Sequence, residues 1–240
     1  MRLLVVNPNT TASMTEKIGA AARAVAGAST EVLAVSPADG PVSIEGYVDE
    51  AFSVPGLLAE IRKHPADAYI VACFDDTGLD AARCVTDAPV IGIGEAAFHL
   101  ASLLAGKFSV VTTLSRSIPA IEHNLLKYGL DRRCARVRAA EVPVLDLEDP
   151  ESDAAGRIAA EIERAKAEDR CEAIVLGCAG MADLAAALSA RHGLPVVDGV
   201  AAAVKLAESL VALGLKTSKL GGYAAPRAKR YDGRFRDDAP

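Results

Sequence analysis

Two cysteines occupy matching places in this chain. Cys73 ends the apolar run of "AYIVACFDDTG" (68–78), and Cys178 ends that of "AIVLGCAGM" (173–181). Each run of four to five apolar residues has the length and β-branched content of a strand buried on both faces, and each is followed by turn residues. A thiol at such a boundary, meeting the first N–H groups of a following helix, is expected to ionise below its ordinary value of about 8.5. One thiolate and one thiol on opposite faces of a carbon acid form a matched base and acid. The thiolate removes a proton from one face, the thiol returns one to the other, and the two sulfurs exchange protonation states.

Asp75 and Asp76 complicate this picture, because a nearby carboxylate raises a thiol's pKa. The expectation is that one of them caps the helix starting near Thr77, with Asp75 also a candidate substrate contact. "CAGM" brings no such charge, so the two thiols need not be equivalent.

The elements around the cysteines repeat. "RLLVVN" (2–7), "TEVLAV" (30–35), "AYIVAC" (68–73) and "PVIGI" (89–93) read as strands, with helices expected after the first, near 48–63 and over about 77–85. Thr residues in "PNTTASM" can cap the first helix, and Gly27 ends it. "KFSVVTT" (107–113) then restates the opening strand. Thr112 stands 105 positions after Asn7, as Cys178 does after Cys73, and Pro195-Val196 answers Pro89-Val90 at 106. Strands alternating with helices imply right-handed βαβ crossovers and parallel sheets, whose ligands sit at the strands' carboxyl ends. The fold expected is therefore α/β, two similar parallel-sheet halves related by a pseudo-twofold axis, with the functional site in the cleft between them. The helix of about 95–105 crosses to the second half and that of 199–214 crosses back. The first half then comprises 1–97 plus 203–240, and the second 98–202.

Composition narrows the function. The 240 residues are 51% apolar, only 4% aromatic, and carry a net charge of -6. No basic stripe or aromatic-plus-basic platform suggests nucleic acid as a partner. No apolar run suits a signal peptide or a membrane span, since the stretch 88–106 is interrupted by Glu95 and His99. Five cysteines without framework spacing fit free thiols in a reducing, cytoplasmic compartment. No CxxC or HExxH motif is present, so no metal is expected. "GIGEAA" (92–97) lacks the dinucleotide spacing. Cys84 and Cys171 lack partners at the repeat offset and are assigned to packing or surface. Cys134 reads as a half-buried strand residue, His99 as facing a helix interface, and Glu45 as either a loop hydrogen bond or a substrate contact.

The motifs "NPNT" (7–10), "PVSIEG" (41–46), "ACFDDTGL" (72–79), "VVTTL" (110–114), "LGCAGM" (176–181) and "AESLVALG" (207–214) occur in order from Met1 to about Ser218. Together they resemble the hydantoin racemase branch of the aspartate/glutamate racemase superfamily. That resemblance implies two flavodoxin-like halves, cofactor-independent two-base chemistry on Cys73 and Cys178, and a homo-oligomer. It further implies a cyclic ureide substrate held by loops carrying Asn9, Thr112 and Thr113. The amides of Phe74, Ala179 and Gly180 would receive the enolate oxygen, and the loop with Ser43 and Ile44 would line the C5 substituent's pocket. Many relatives read Gly-Asp-Pro-Gly where this chain has Asp75-Asp76-Thr77-Gly78. Allantoin racemases share nearly all these motifs, so allantoin is the alternative substrate. A two-thiol redox protein would need Cα atoms within roughly 7 Å. A non-catalytic binding module would bind a ligand without turnover.

Overall fold

The computed structural model describes residues 1–240, the side chain of Asp237 excepted. Strands and helices alternate along the chain. The first half runs β1 (Arg2–Val6), α1 (Ala12–Val25), β2 (Glu31–Val35), α2 (Tyr47–Lys63), β3 (Ala68–Val71), α3 (Leu79–Val85) and β4 (Val90–Gly92). A helix, α4 (Ile93–Leu104), leads to β5 (Phe108–Thr112), α5 (Ile118–Lys127), β6 (Cys134–Ala139), α6 (Ala154–Glu168), β7 (Ala173–Gly177), α7 (Ala185–His192) and β8 (Val196–Val197). The last α-helix is α8 (Gly199–Ala212).

The strands form two four-stranded sheets, ordered β2-β1-β3-β4 and β6-β5-β7-β8, and every pairing is parallel. The order is the same in both, so the sequence repeat is a structural repeat. Central strands are buried almost throughout: Leu3 to Val6, Ala68 to Val71 and Ala173 to Val175 are each at most 4% exposed. Such strands read as apolar runs because helices cover both faces of a parallel sheet.

Helices α4 and α8 lie against each other, α4 also on β7 and α5, α8 also on α1 and β3. One apolar core therefore runs from Leu3, Val5 and Ile70 through Phe98 and Val204 to Phe108, Val110 and Val175. Phe98 of α4 stacks on Phe108 at 6.1 Å between ring centroids and meets the edge of Phe74 at 5.3 Å. All three rings are nearly or fully buried, each stabilising by about 1.5–3 kcal/mol over an exposed ring. Phe74 follows Cys73 directly, so this stack anchors the first cysteine's loop to the core.

Three local expectations are corrected. The first helix is not capped by a threonine side chain; Thr11 at its N-cap donates its hydroxyl instead to the Val42 carbonyl, at 2.6 Å. The helix after Cys73 begins at Leu79, not Thr77, with Gly78 at its N-cap in the left-handed region (φ 71°) and no side-chain cap. Neither aspartate caps it. His99 is also exposed on α4, not enclosed in a helix interface, because the α4 face that meets the core is that of Phe98 and Ala101. Cys134 is half-buried in β6, and Cys84 and Cys171 are free and half-buried.

Candidate active site

Both cysteines follow central strands at the carboxyl edges of their sheets, Cys73 two residues beyond β3 and Cys178 one beyond β7. They line one cleft of about 410 Å³, counting its open mouth. Both are free thiols, partly exposed. Of the residues expected to contact a ligand, Asn9, Ile44, Phe74, Asp75, Thr112, Thr113 and Ala179 share this wall. Ser43 and Gly180 do not. Ile44 is the inward residue of its loop, which leaves its neighbour Ser43 off the wall. Asn7, Met14, Ser117 and Val144 also face the cleft, beyond the residues expected from sequence. Asn7 and Ser117 are polar residues buried beside strand ends, and the first had a signal in "NPNT".

The loop after β1 is a fixed network. Asn7 donates through Nδ2 to Asn9 Oδ1 at 2.8 Å and to Thr15 Oγ1 at 2.9 Å. The Thr11 amide also donates to Asn9 Oδ1, at 2.9 Å. With its oxygen doubly used and its Nδ2 donating to the Met14 sulfur at 3.3 Å, Asn9 has one side-chain N–H left to offer a ligand, and it suits a carbonyl. Thr112 is similarly committed, its hydroxyl donating to the Gly177 carbonyl at 2.9 Å. That bond links the first strand of the second half to the residue just before Cys178.

The thiol electrostatics overturn one expectation. Burial pushes the Cys73 thiol well above its ordinary value, and the Asp75 charge adds to this, against opposing hydrogen bonds from Thr77 and the Asp75 amide. The Thr77 hydroxyl lies 3.3 Å from the sulfur. Cys178 is pushed up to about 11, again mainly by burial, with the Gly180 amide and the Lys17 ammonium pulling the other way. Desolvation of the charged form outweighs the local dipoles. No α-helix starts at either sulfur: α3 begins six residues after Cys73, and a 3-10 segment (Ala179–Leu184) follows Cys178. The amide two residues beyond each cysteine, Asp75 or Gly180, is directed at the sulfur in both halves. The Gly180 amide thus favours the Cys178 thiolate. The Phe74 and Ala179 amides have no acceptor among the described residues.

Asp76 does work that its sequence position hides. Its carboxylate accepts from the Gly94 and Glu95 amides at 2.9 and 2.8 Å, capping α4 rather than α3. The Tyr128 hydroxyl at the end of α5 donates to it at 2.8 Å. Its backbone is left-handed, φ 51°, an uncommon conformation for a residue other than glycine that Asp tolerates better than most. Other contacts tie the halves around the cleft. Asn124 of α5 donates to the Asp75 carbonyl at 2.8 Å, the Val144 amide to Glu45 at 3.0 Å, and Lys17 of α1 to the Leu147 carbonyl at 3.2 Å. Glu45 thus makes the loop hydrogen bond.

No group of three or more His, Cys, Asp or Glu side chains able to hold a metal ion occurs among the described residues. No described helix is long and apolar enough to cross a membrane.

Residues 3–207 match the family described as Asp/Glu/Hydantoin racemase. The chain belongs to that family. It is an isomerase of the racemase type. Among its relatives, a hydantoin racemase of Rhizobium meliloti is 52% identical over 236 residues, covering 97% of this chain and 98% of the relative. A hydantoin racemase of Pseudomonas sp. (strain NS671) is 48% identical over 237 residues, covering 97% and 95%. Among solved structures, the allantoin racemase from Klebsiella pneumoniae superposes with a TM-score of 0.97 at 49% identity, covering 100% of this chain and 99% of that one.

Proposed function

We propose that this racemase inverts C5 of a 5-substituted hydantoin ring by passing protons between Cys73 and Cys178. The observation that carries the reading is that the two halves contribute free thiols from equivalent strand ends to one cleft. Cys178 is the easier to ionise: burial raises both thiols, Cys73 well above its ordinary value and Cys178 to about 11, where the Gly180 amide and the Lys17 charge favour the thiolate against burial and Asp75. A thiolate that desolvation disfavours this much is a strong base, suited to a weak carbon acid.

Starting from the Cys178 thiolate, the sulfur takes the C5 proton and becomes a thiol, leaving the electron pair on the ring as an enolate. The Cys73 thiol then gives its proton to the opposite face and becomes the thiolate. The return direction exchanges the roles. The unpaired Phe74 and Ala179 amides are suited to the enolate oxygen as it gains charge, and the remaining Asn9 side-chain N–H to a ring carbonyl. The steps as written call on no cofactor or metal.

A second reading, a 5-ureido ring as in allantoin, is favoured by the close superposition on an allantoin racemase. One experiment tests both. A single enantiomer of 5-benzylhydantoin, and separately of allantoin, is incubated with the enzyme in D₂O. Loss of optical rotation with deuterium appearing at C5 is expected. Ligand binding without rotation loss or exchange on either ring would leave a binding module.

A further inference from the structure

The two cysteines answer to one another in the fold, but the loops that follow them do not. Counted from the cysteines, Asp75 and Thr77 of the first loop stand where the second has Gly180 and Ala182. Thr77 is a polar residue that the two-thiol chemistry does not use. It is 3% exposed. Among the described residues its hydroxyl has one hydrogen-bond partner, the Cys73 sulfur, to which it donates at 3.3 Å. Ala182 offers Cys178 no such group.

The loop is built to hold that contact. The Asp76 amide donates to the Cys73 carbonyl and the Leu79 amide to the Asp76 carbonyl, each at 3.0 Å, so the chain turns back and brings Thr77 to the sulfur. Asn124 holds the Asp75 carbonyl, while the Gly94 and Glu95 amides and the Tyr128 hydroxyl hold the Asp76 side chain. Gly78, left-handed at φ 71°, then carries the chain into α3, where a Cβ would stand 3.0 Å from Leu57 and 3.2 Å from Val54. Thr77 is thus fixed between anchored residues and almost closed to water. A hydroxyl donating to sulfur stabilises more when the sulfur is charged. Burial and then the Asp75 charge work against a Cys73 thiolate, and Thr77 is the strongest group in its favour. Donation to a sulfur lone pair also leaves the S–H of the neutral thiol free to point at C5 when Cys73 is the acid.

We propose that Thr77 is a positioning residue for the Cys73 half of the reaction: its hydroxyl holds the Cys73 sulfur and stabilises the thiolate in which Cys73 acts as base. This rests on the two-thiol reading above. It makes the two half-reactions unequal in their dependence on Thr77, since Cys178 has no hydroxyl at the matching place.

The test uses Thr77→Val, which keeps the side chain's shape without the hydroxyl, and Thr77→Ser, which keeps the hydroxyl. Thr77→Ala gives the same readouts should valine not fit. Cys73 faces two other titratable groups, Asp75 and Cys178, and Asp75, with Glu50 acting on it, is raised to about 7. Iodoacetamide labelling is therefore read by peptide mass spectrometry above that value, at about pH 8.5. Losing one hydrogen bond to a charged group raises an ionisation by about one to two pH units, and the greater reactivity of the remaining thiolate offsets about half of the effect. Thr77→Val should therefore label about three- to tenfold more slowly at Cys73, with Cys178 unchanged. The same substitution is placed in Cys178→Ser and in Cys73→Ser, each given the enantiomer of 5-benzylhydantoin or allantoin on which it exchanges C5–H in D₂O. Exchange by Cys73 should fall about three- to tenfold and exchange by Cys178 less than about twofold, and Thr77→Ser should recover both readouts. Equal losses in the two backgrounds, an unchanged Cys73 labelling rate, or no recovery with serine would overturn the proposal while leaving the racemase reading intact. A parent that exchanges C5–H on neither ring would overturn the two-thiol reading and the proposal with it.

Discussion

Replacing Tyr128 by Phe removes one hydroxyl from the junction between α5 and the loop of Cys73. Asp76 is 6% exposed and holds three donors, the Gly94 and Glu95 amides and the Tyr128 hydroxyl, all within 2.9 Å. Burial raises its carboxyl to about 7 in spite of them. Above that pH the variant leaves an ionised, buried carboxylate with two donors. A hydrogen bond to a charged group contributes about 1.5–3 kcal/mol, a neutral one about 0.5–1.5 kcal/mol. The loss should therefore be about 2 kcal/mol at pH 8.5 and about 1 kcal/mol at pH 5.5.

The sign follows from linkage. The Tyr128 bond holds the folded-state pKa down, so its removal raises it further above the unfolded value of about 3.9. A raised pKa contributes stability that is present at low pH and lost as pH rises through the folded value, so the variant suffers most on the alkaline side. Urea unfolding followed by far-UV circular dichroism at both pH values measures this. In melting temperature, 2 kcal/mol corresponds to about 4–8 °C for a chain of this size. Equal losses at the two pH values, or a loss below about 0.5 kcal/mol, would refute the reasoning about Asp76.

Further outcomes are expected. Gly177→Ala would place a Cβ 2.7 Å from Thr112 Cβ and 2.8 Å from its Cα; it should cost about 1–3 kcal/mol and lower kcat by displacing Cys178, as denaturation and steady-state kinetics would show. Iodoacetamide should label Cys178 before Cys73, with a rate rising about tenfold per pH unit toward pH 11, read by peptide mass spectrometry. Lys17→Met removes a charge that favours the Cys178 thiolate and should shift that labelling profile to higher pH. The parent should lose stability between about pH 4 and 7 from Asp75 and Asp76, both raised to about 7 and protonated in the fold where the unfolded chain is ionised; a pH series of unfolding curves checks it.

What the sequence shows best is what depends on local pattern. Buried parallel strands such as "YIV" and "IVL" announce themselves as apolar runs ending in turn residues, and two copies at one spacing expose the repeat and its paired cysteines. What it hides depends on distance through space. Asp76 caps a helix that begins 17 residues later, and Tyr128 joins it from the other half, so neither bond has a sequence spacing to reveal it. The thiols' acidity was misjudged because a helix was expected to start beside Cys73. The chain instead inserts Gly78 in a left-handed turn, and desolvation raises the thiol. Ser43 and Ile44 are neighbours with opposite fates, since only the folded loop decides which one faces inward. Asn7 and Asn9 show the converse: both lie in one short motif, but only the network of donors tells that Asn9 keeps one side-chain N–H for a ligand.

The central claim is that two thiols act on opposite faces of one carbon. It is tested most directly by incubating Cys73→Ser and Cys178→Ser with each enantiomer of the preferred hydantoin in D₂O, following C5–H by NMR and optical rotation together. The account predicts that neither variant racemises, and that each retains slow C5 exchange on one enantiomer only, the two variants favouring opposite hands. A variant that still inverts C5, or two that exchange the same enantiomer, would contradict it.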